Sequence, residues 1–520
     1  LVGCAFLICG IAFLSTDTYT VHAQDEDERE EAEYIGADEC SSCHRNVARD
    51  HDDTNHALAL QDVGRRKDDI LGDFDSGEDI RSVLIPGEDE ARPFTDDDIA
   101  FAVGAGRYVQ HYLYEVDRNE YMVLPAQWNA VTETWEALPL GEEWPSDAYD
   151  FEMNCAHCHT TGFEVERDRW EDDAVQCEAC HGPGSLHAEL ADDAGRNPND
   201  EELVELRAAI YNEPDPQMCG QCHSQGTGPD GHPYPAGYIP GTDLHAIYEL
   251  VPDDSTSHWW TTGHARGKYM QYNEWLHSTH ATSLTDMRES EAAADECLTC
   301  HSEDARYNAR LIEAVEEGDR DGEAPEALTV ESAQWGVTCM SCHNPHTDSG
   351  EPANLVEEAY ALCISCHTNS ADADGIHYPA KEMFEGITLV EGIEGIPGAH
   401  FTAEDGPRCT TCHMQSLPID LMISRTTHTF QPVLPGHEDA ELPNSCESCH
   451  DDLTVTDLQL LVDNTQAVVQ TRLTAARDAL DTQAAGEDDA QYQIVADALD
   501  FIENDGSFGV HNYLYVDELL

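Results

Sequence analysis

The feature that most constrains this chain is a pentapeptide, Cys-x-x-Cys-His, which occurs nine times in 520 residues. It stands at Cys40/Cys43/His44, Cys155/Cys158/His159, Cys177/Cys180/His181, Cys219/Cys222/His223 and Cys297/Cys300/His301, and again at Cys339/Cys342/His343, Cys363/Cys366/His367, Cys409/Cys412/His413 and Cys446/Cys449/His450. We number these motifs 1 to 9. Chance at this composition gives on the order of 0.05 such pentapeptides in the whole chain. Two thiols three residues apart each add to a vinyl group of one haem, and the adjacent histidine then sits beneath the iron as its proximal ligand. Zinc sites also use Cys-x-x-Cys pairs, but they do not require a histidine after every second cysteine. A disulfide scaffold leaves the nine histidines unexplained. The spacing therefore predicts nine haem c groups, with the eighteen cysteines as attachment points and the nine histidines as iron ligands.

The remaining cysteines, Cys4 and Cys9, lie in an apolar opening, Leu1 to Ser15, followed by polar residues and the small-residue site Val21-His22-Ala23. That pattern reads as a secretory signal over 1–23, and export to the periplasm or beyond suits covalent haem attachment. Leu1-Val2-Gly3-Cys4 also fits a lipoprotein box, so a membrane is expected only through an uncleaved or lipidated N-terminus. No other segment is apolar enough to span a bilayer.

Charge narrows the partners. There are 105 acidic residues against 25 basic ones, a formal net charge of −80, and the lysines are Lys67, Lys268 and Lys381. Nucleic acid is excluded as a natural partner. The surface is self-repelling, suits a salty medium in which screening shortens that repulsion, and steers basic redox proteins or other multihaem cytochromes toward it.

An acidic lead-in and the first motif occupy 24–60, a motif-free α/β insert 61–150, an eight-haem core 151–450, and a helical segment 451–520. Within the insert, Tyr108 to Val116 and Glu120 to Gln127 alternate around Asp117-Arg118-Asn119, which predicts a hairpin. Asp193 to Tyr211 reads as a helix with Leu203, Leu206 and Ile210 on one face. Leu458, Leu461, Val462, Val468, Val469, Leu473 and Leu480 recur at helical spacing, and a second run covers Gln491 to Ile502, so two helices close the chain. With about 55 residues per haem the polypeptide cannot enclose each cofactor separately, and the haems themselves must form the core. The fold class is mainly α with little regular secondary structure, built around stacked haems, with a small β-containing insert.

The sixth position of each iron separates a carrier from a catalyst. Eighteen histidines lie outside the motif positions. A histidine a few residues beyond a proximal ligand emerges on the same side of that haem and should serve a neighbour, as for His187 after His181 and His346 after His343. The further candidates are His56, His264, His280, His377, His400, His428 and His511, with His111, His245 and His437 in reserve. His157, inside a motif, is read as a non-ligand. Thr54-Asn55-His56-Ala57 echoes Ser278-Thr279-His280-Ala281, which supports one role for His56 and His280.

The segment Tyr34-Ile35-Gly36-Ala37-Asp38-Glu39-Cys40 with His56-Ala57, and Cys177 through Ser185 with His187, resemble the superfamily that contains the tetrahaem cytochrome partner of hydroxylamine oxidoreductase, hydroxylamine oxidoreductase itself and pentahaem nitrite reductase. Cys409 to Met414 followed by His428-Thr429-Phe430, and the ending Gly509-Val510-His511-Asn512, are similar to its C-terminal parts. The resemblance implies a mostly α fold with haems in parallel and perpendicular pairs. Such nitrite reductases usually mark the catalytic haem with lysine in the motif, whereas all nine motifs here end in histidine. Hydroxylamine oxidoreductases leave one haem without a distal ligand and cross-link it to a tyrosine. Three functions are thus in view: electron transfer through nine haems in the periplasm or outside the cell, with no catalytic residue; oxidoreduction of a small nitrogen or sulfur compound at one open haem; and assembly, as a homo-oligomer, into an extracellular cytochrome filament.

Overall fold

A computed structural model of the chain describes residues 32–64, 67–140, 143–318, 322–347, 349–369, 375–418, 424–482 and 490–520. The expected signal over 1–23, with Cys4 and Cys9, lies outside the described residues.

Between motifs 1 and 2 the alternation of branched and aromatic residues with polar ones produces an antiparallel sheet. Its strands are β1 (Leu60–Asp62), β2 (Phe101–Val103), β3 (Val109–Asp117), β4 (Glu120–Val123), β5 (Ala126–Asn129) and β6 (Thr134–Ala137). The order is β1-β2-β3-β5-β6, with β4 also paired to β3. The expected hairpin is β3 and β4, but its second arm ends at Val123 and the chain re-enters the sheet as β5. The insert is also β rather than α/β: its helical turns within 61–150 are short 3-10 turns among the described residues.

The sheet has a core of its own. Phe74, Phe94, Tyr112 and Trp128 surround Trp135 at ring-centre distances of 5.1 to 5.6 Å, and aromatic contacts of this kind add about 0.5–1.5 kcal/mol each beyond their burial. Arg81, 1 % exposed, lies over the Phe74 ring at 5.0 Å and donates to the carbonyls of Phe74, Ser76 and Phe94. Gly77 is left-handed (φ +66°), and a Cβ there would meet the Trp135 ring at 2.6 Å, so only glycine fits.

Glu152, 6 % exposed, closes the insert by accepting the Tyr121 N–H at 3.1 Å. Burial pushes its carboxyl up to about 7, against the pull of the backbone N–H groups. The folded state therefore holds this proton more tightly than the unfolded chain, and the resulting stability is present in full below about pH 4.5 and lost as the pH rises through 7. Glu152→Gln is expected to flatten the pH dependence of melting across that window and to add at most about 3 kcal/mol at neutral pH, measured by thermal denaturation over a pH series.

The chain ends in three helices rather than two: α1 (Val455–Asp481), α2 (Ala490–Asp505) and α3 (Tyr513–Leu519). Thr454 and Asp457 form a capping box at the start of α1. Val469, Leu473, Leu480, Leu499, Phe501, Ile502, Tyr515 and Val516 bury themselves against one another and against Met383 and Val390, while Leu461 and Val468 of the expected apolar face are exposed. His511 lies in the turn between α2 and α3.

From 151 to 450 the described residues form helices of at most fourteen residues, turns and three two-stranded ribbons, and the apolar clusters are small. The helix expected over 193–211 is two helices, Ser185–Ala194 and Asp200–Ala208, the second capped by Asn199. Gly195, left-handed at φ +70°, ends the first. No helix among the described residues is long and apolar enough to cross a membrane.

Candidate functional site

Most motifs sit on a single helical turn, as at Ala37–Cys43, Ala156–His159, Cys177–His181 and Cys409–His413. On such a turn residues i, i+3 and i+4 share one face, so both thiols and the imidazole present themselves together. Side-chain caps fix several of these turns: Asp150 accepts from Met153 N–H before motif 2, Asp215 from Gln217 N–H before motif 4, and Glu358 from Ala361 N–H before motif 7. The eighteen motif cysteines form no disulfides with one another.

Motifs 2 to 9 line one continuous cavity of about 3240 Å³. A pocket for one small molecule measures roughly 300–1,000 Å³, so this space suits several large cofactors in contact.

Eight motif histidines each face a second histidine. The ring-centre distances are 6.2 Å for His44–His187, 6.3 Å for His223–His56, 5.9 Å for His181–His346 and 6.0 Å for His367–His280. They are 6.4 Å for His301–His377, 6.3 Å for His343–His428, 6.2 Å for His450–His400 and 6.1 Å for His413–His511. Two metal–nitrogen bonds of about 2 Å, with half of each ring beyond them, require about 6 Å between ring centres. Many of the rings are anchored through Nδ1, which leaves Nε2 to face inward. Nδ1 of His159, His181, His301, His343 and His413 lies 2.7 to 3.2 Å from the carbonyls of Ala59, Tyr211, Ser283, Ala353 and Phe430. His187 and His428 use the carbonyls of Leu206 and Thr426, and His511 uses the Asp505 carboxylate at 2.7 Å. Burial lowers His223, His280 and His367 to about 4 and His428 to about 3, whereas at His511 burial is outweighed by the Asp505 carboxylate, which raises it. A neutral ring is what a metal ion needs.

The thiols give the spatial order of the motifs. Cys40 lies within hydrogen-bonding reach of Cys177, Cys158 of Cys222, Cys219 of Cys339, Cys300 of Cys366, and Cys363 of Cys409. Cys180 is electrostatically coupled to Cys219, Cys342 to Cys366, and Cys412 to Cys446 and Cys449. The motifs therefore run 1-3-4-6-7-8-9, with motif 2 beside 4 and motif 5 beside 7. Cys43 and Cys449, in the two end motifs, are the exposed cysteines.

His264 requires a correction. Its ring nitrogens lie 3.0 Å from Thr262 Oγ1 and 3.0 Å from the Gln431 carbonyl, and the residue is buried. Both nitrogens are occupied by protein, so it is not placed to hold a metal. His245, a reserve candidate, is bonded to the Tyr272 hydroxyl.

Sequence reasoning missed the carboxylates that aim the site. Glu178, inside motif 3, accepts from the N–H groups of Ile35, Gly36 and Gly184, which ties the lead-in of motif 1 onto motif 3. Glu274 and Asp505 do the same for His428 and His511. Glu178 and Glu274 reach partners more than a hundred residues away, which no local pattern marks, and Asp505 reaches His511 only because the chain turns back after its helix.

Among the described residues no three His, Cys, Asp or Glu side chains gather to hold a metal ion by themselves. The donors instead come as facing histidine pairs about 6 Å apart, each beside two motif thiols, which fits haem c. Comparison with known proteins agrees. Residues 332–372 match the family model described as doubled CXXCH motif, and residues 132–182 match that of cytochrome c554 and c-prime. The crystal structure of outer cell wall cytochrome OcwA superposes with a TM-score of 0.76 at 27 % identity, covering 94 % of this chain and 98 % of that one.

The chain is a multihaem c-type cytochrome.

The cytochrome also shares its fold with the undecahaem cytochrome from the S-layer of Carboxydothermus ferrireducens, at a TM-score of 0.61 and 20 % identity, over 94 % of this chain and 68 % of that one. No curated protein matches it.

Proposed function

We propose that the cytochrome carries nine haem c groups and serves electron transfer at the outside of the cell, as a carrier or conduit without a substrate site. The observation that carries this reading is the set of eight facing histidine pairs. An iron held between two imidazoles is low-spin and exchanges one electron with little rearrangement. The chain's own contribution is to fix both imidazoles of each pair, exclude water from between them, and set the attachment sites in contact from motif 1 to motif 9. The exposed cysteines of those two motifs support the ends of the row as the points of exchange with partners. With a charge of −80 on the chain, a basic protein or another cytochrome is the partner that the surface favours. The likeness to a protein named for the outer cell wall supports an exported location.

The test is a count. Intact mass of the mature protein is expected to exceed the polypeptide by nine haems, and low-temperature electron paramagnetic resonance is expected to show the ferric irons low-spin. A missing haem removes a motif from the row, and a stoichiometric high-spin iron in the wild type turns the reading toward a catalyst.

A further inference from the structure

Motifs 2, 4 and 6 are arranged like motifs 5, 7 and 8. Cys158 meets Cys222 as Cys300 meets Cys366, and Cys219 meets Cys339 as Cys363 meets Cys409. His56 faces His223 as His280 faces His367. Three residues after each of these, the Ala59 and Ser283 carbonyls hold Nδ1 of His159 and His301. The correspondence continues on the far side. Tyr272 N–H donates to the His223 carbonyl at 2.9 Å and Lys381 N–H to the His367 carbonyl at 3.0 Å. Each lies three residues beyond a left-handed tyrosine, Tyr269 or Tyr378, both at φ +53°.

Two differences stand out against this match. The residue before the tyrosine is His377 in one half, where it faces His301, and Lys268 in the other. The second difference lies just beyond the echoed His-Ala segment. After Ser283 the chain soon reaches motif 5, whereas after Ala59 it builds the β-sheet before motif 2.

We propose that the sheet supplies what Lys268 does not: His111, on β3, is the sixth ligand of haem 2. The registers place Leu60 opposite Val103 and Val103 opposite His111, so the three form one lateral row. Two inter-strand steps of about 4.8 Å set His111 roughly 10 Å from β1, beside which Ala59 holds the His159 ring. That span accommodates two imidazoles with an iron between them. His111 is packed in the sheet with its Nδ1 buried and unpartnered, and the titratable groups nearest it are His159 and Lys268. A buried ring nitrogen without a partner is costly, and ring rotation toward the iron removes the cost.

This assignment rests on haem 2 being loaded, so the experiment reads loading and ligation separately. Intact mass, electron paramagnetic resonance and carbon monoxide binding are compared for the wild type, His111→Ala, His111→Met and Lys268→Ala. The expected result is nine haems throughout, with one high-spin, carbon-monoxide-binding iron in His111→Ala and none in Lys268→Ala. His111→Met, which keeps a ligand in place if the alanine variant does not fold, is expected to show the red charge-transfer absorption of a methionine–iron bond. A wild type with eight haems defeats the nine-haem reading itself. With nine haems present, His111→Ala that stays fully low-spin, His111→Met without the new band, a wild type that already binds carbon monoxide, or a loss of low-spin iron in Lys268→Ala overturns the assignment of His111.

Discussion

Replacing Glu274 with alanine is expected to lower the stability of the cytochrome by about 3–5 kcal/mol and to loosen the iron ligation at motif 6. Glu274 is fully buried, and its carboxylate lies 2.9 Å from the guanidinium of Arg425, itself 6 % exposed. It also accepts from Ala265 N–H at 2.8 Å, Thr427 Oγ1 at 3.0 Å and His428 N–H at 2.7 Å. Burial pulls Arg425 below the usual guanidinium range, with Glu274 opposing. Losing the carboxylate therefore strands a buried cation and at the same time frees the segment that aims His428 at His343. Removing both charges, as in Glu274→Leu with Arg425→Leu, is expected to recover the part of the loss due to the stranded cation, while Ala265 and His428 N–H stay unpaired and keep the rest. The denaturation midpoint separates these cases. A Glu274→Ala variant as stable as the wild type, with unchanged spin state, would show that the pair does not hold this part of the chain.

The second large effect is expected at motif 8. His511→Ala removes the ring that faces His413 at 6.1 Å, and one high-spin, carbon-monoxide-reactive haem should appear with the haem count unchanged. Asp505→Asn is the finer probe. Asp505 is 1 % exposed at its side chain and binds His511 Nδ1 at 2.7 Å. Among the anchored rings this one leans on a carboxylate rather than a carbonyl, which makes the imidazole a stronger donor and favours the ferric iron. If the charge accounts for about 1.4 kcal/mol of that preference, its loss raises the one-electron potential of haem 8 by roughly 60 mV. Redox titration of the two proteins side by side tests this, and superimposable titrations would remove Asp505 from any role in setting the potential.

What could be read from the sequence was what is local. The motif needs only one helical turn, so its chemistry is complete in five residues. The strand pattern around Asp117-Arg118-Asn119 likewise marks β3 and β4, because pleating and alternation are local. Pairing is not. His44 faces His187 and His343 faces His428 through contacts that no spacing encodes. His264 precedes an alanine as His56 and His280 do, yet Thr262 and Gln431 occupy its nitrogens. The third C-terminal helix escaped notice because Tyr513–Leu519 is too short for a periodicity to emerge. The roles of Glu178 and Glu274 depend on segments that meet them only after folding.

The crossed histidine pairs bear on how such a molecule comes into being. Thioether formation needs an accessible motif, whereas closing the sixth position needs a segment from elsewhere in the chain: His44 waits for His187, His181 for His346, His343 for His428, and His413 for His511. Ligated as proposed, each iron acts as a reversible cross-link between distant stretches and, like a disulfide, removes loop freedom from the open chain. The lacing can be drawn tight only once His511 is available, so a chain truncated before His511 should carry all of its haems and still be unable to finish folding.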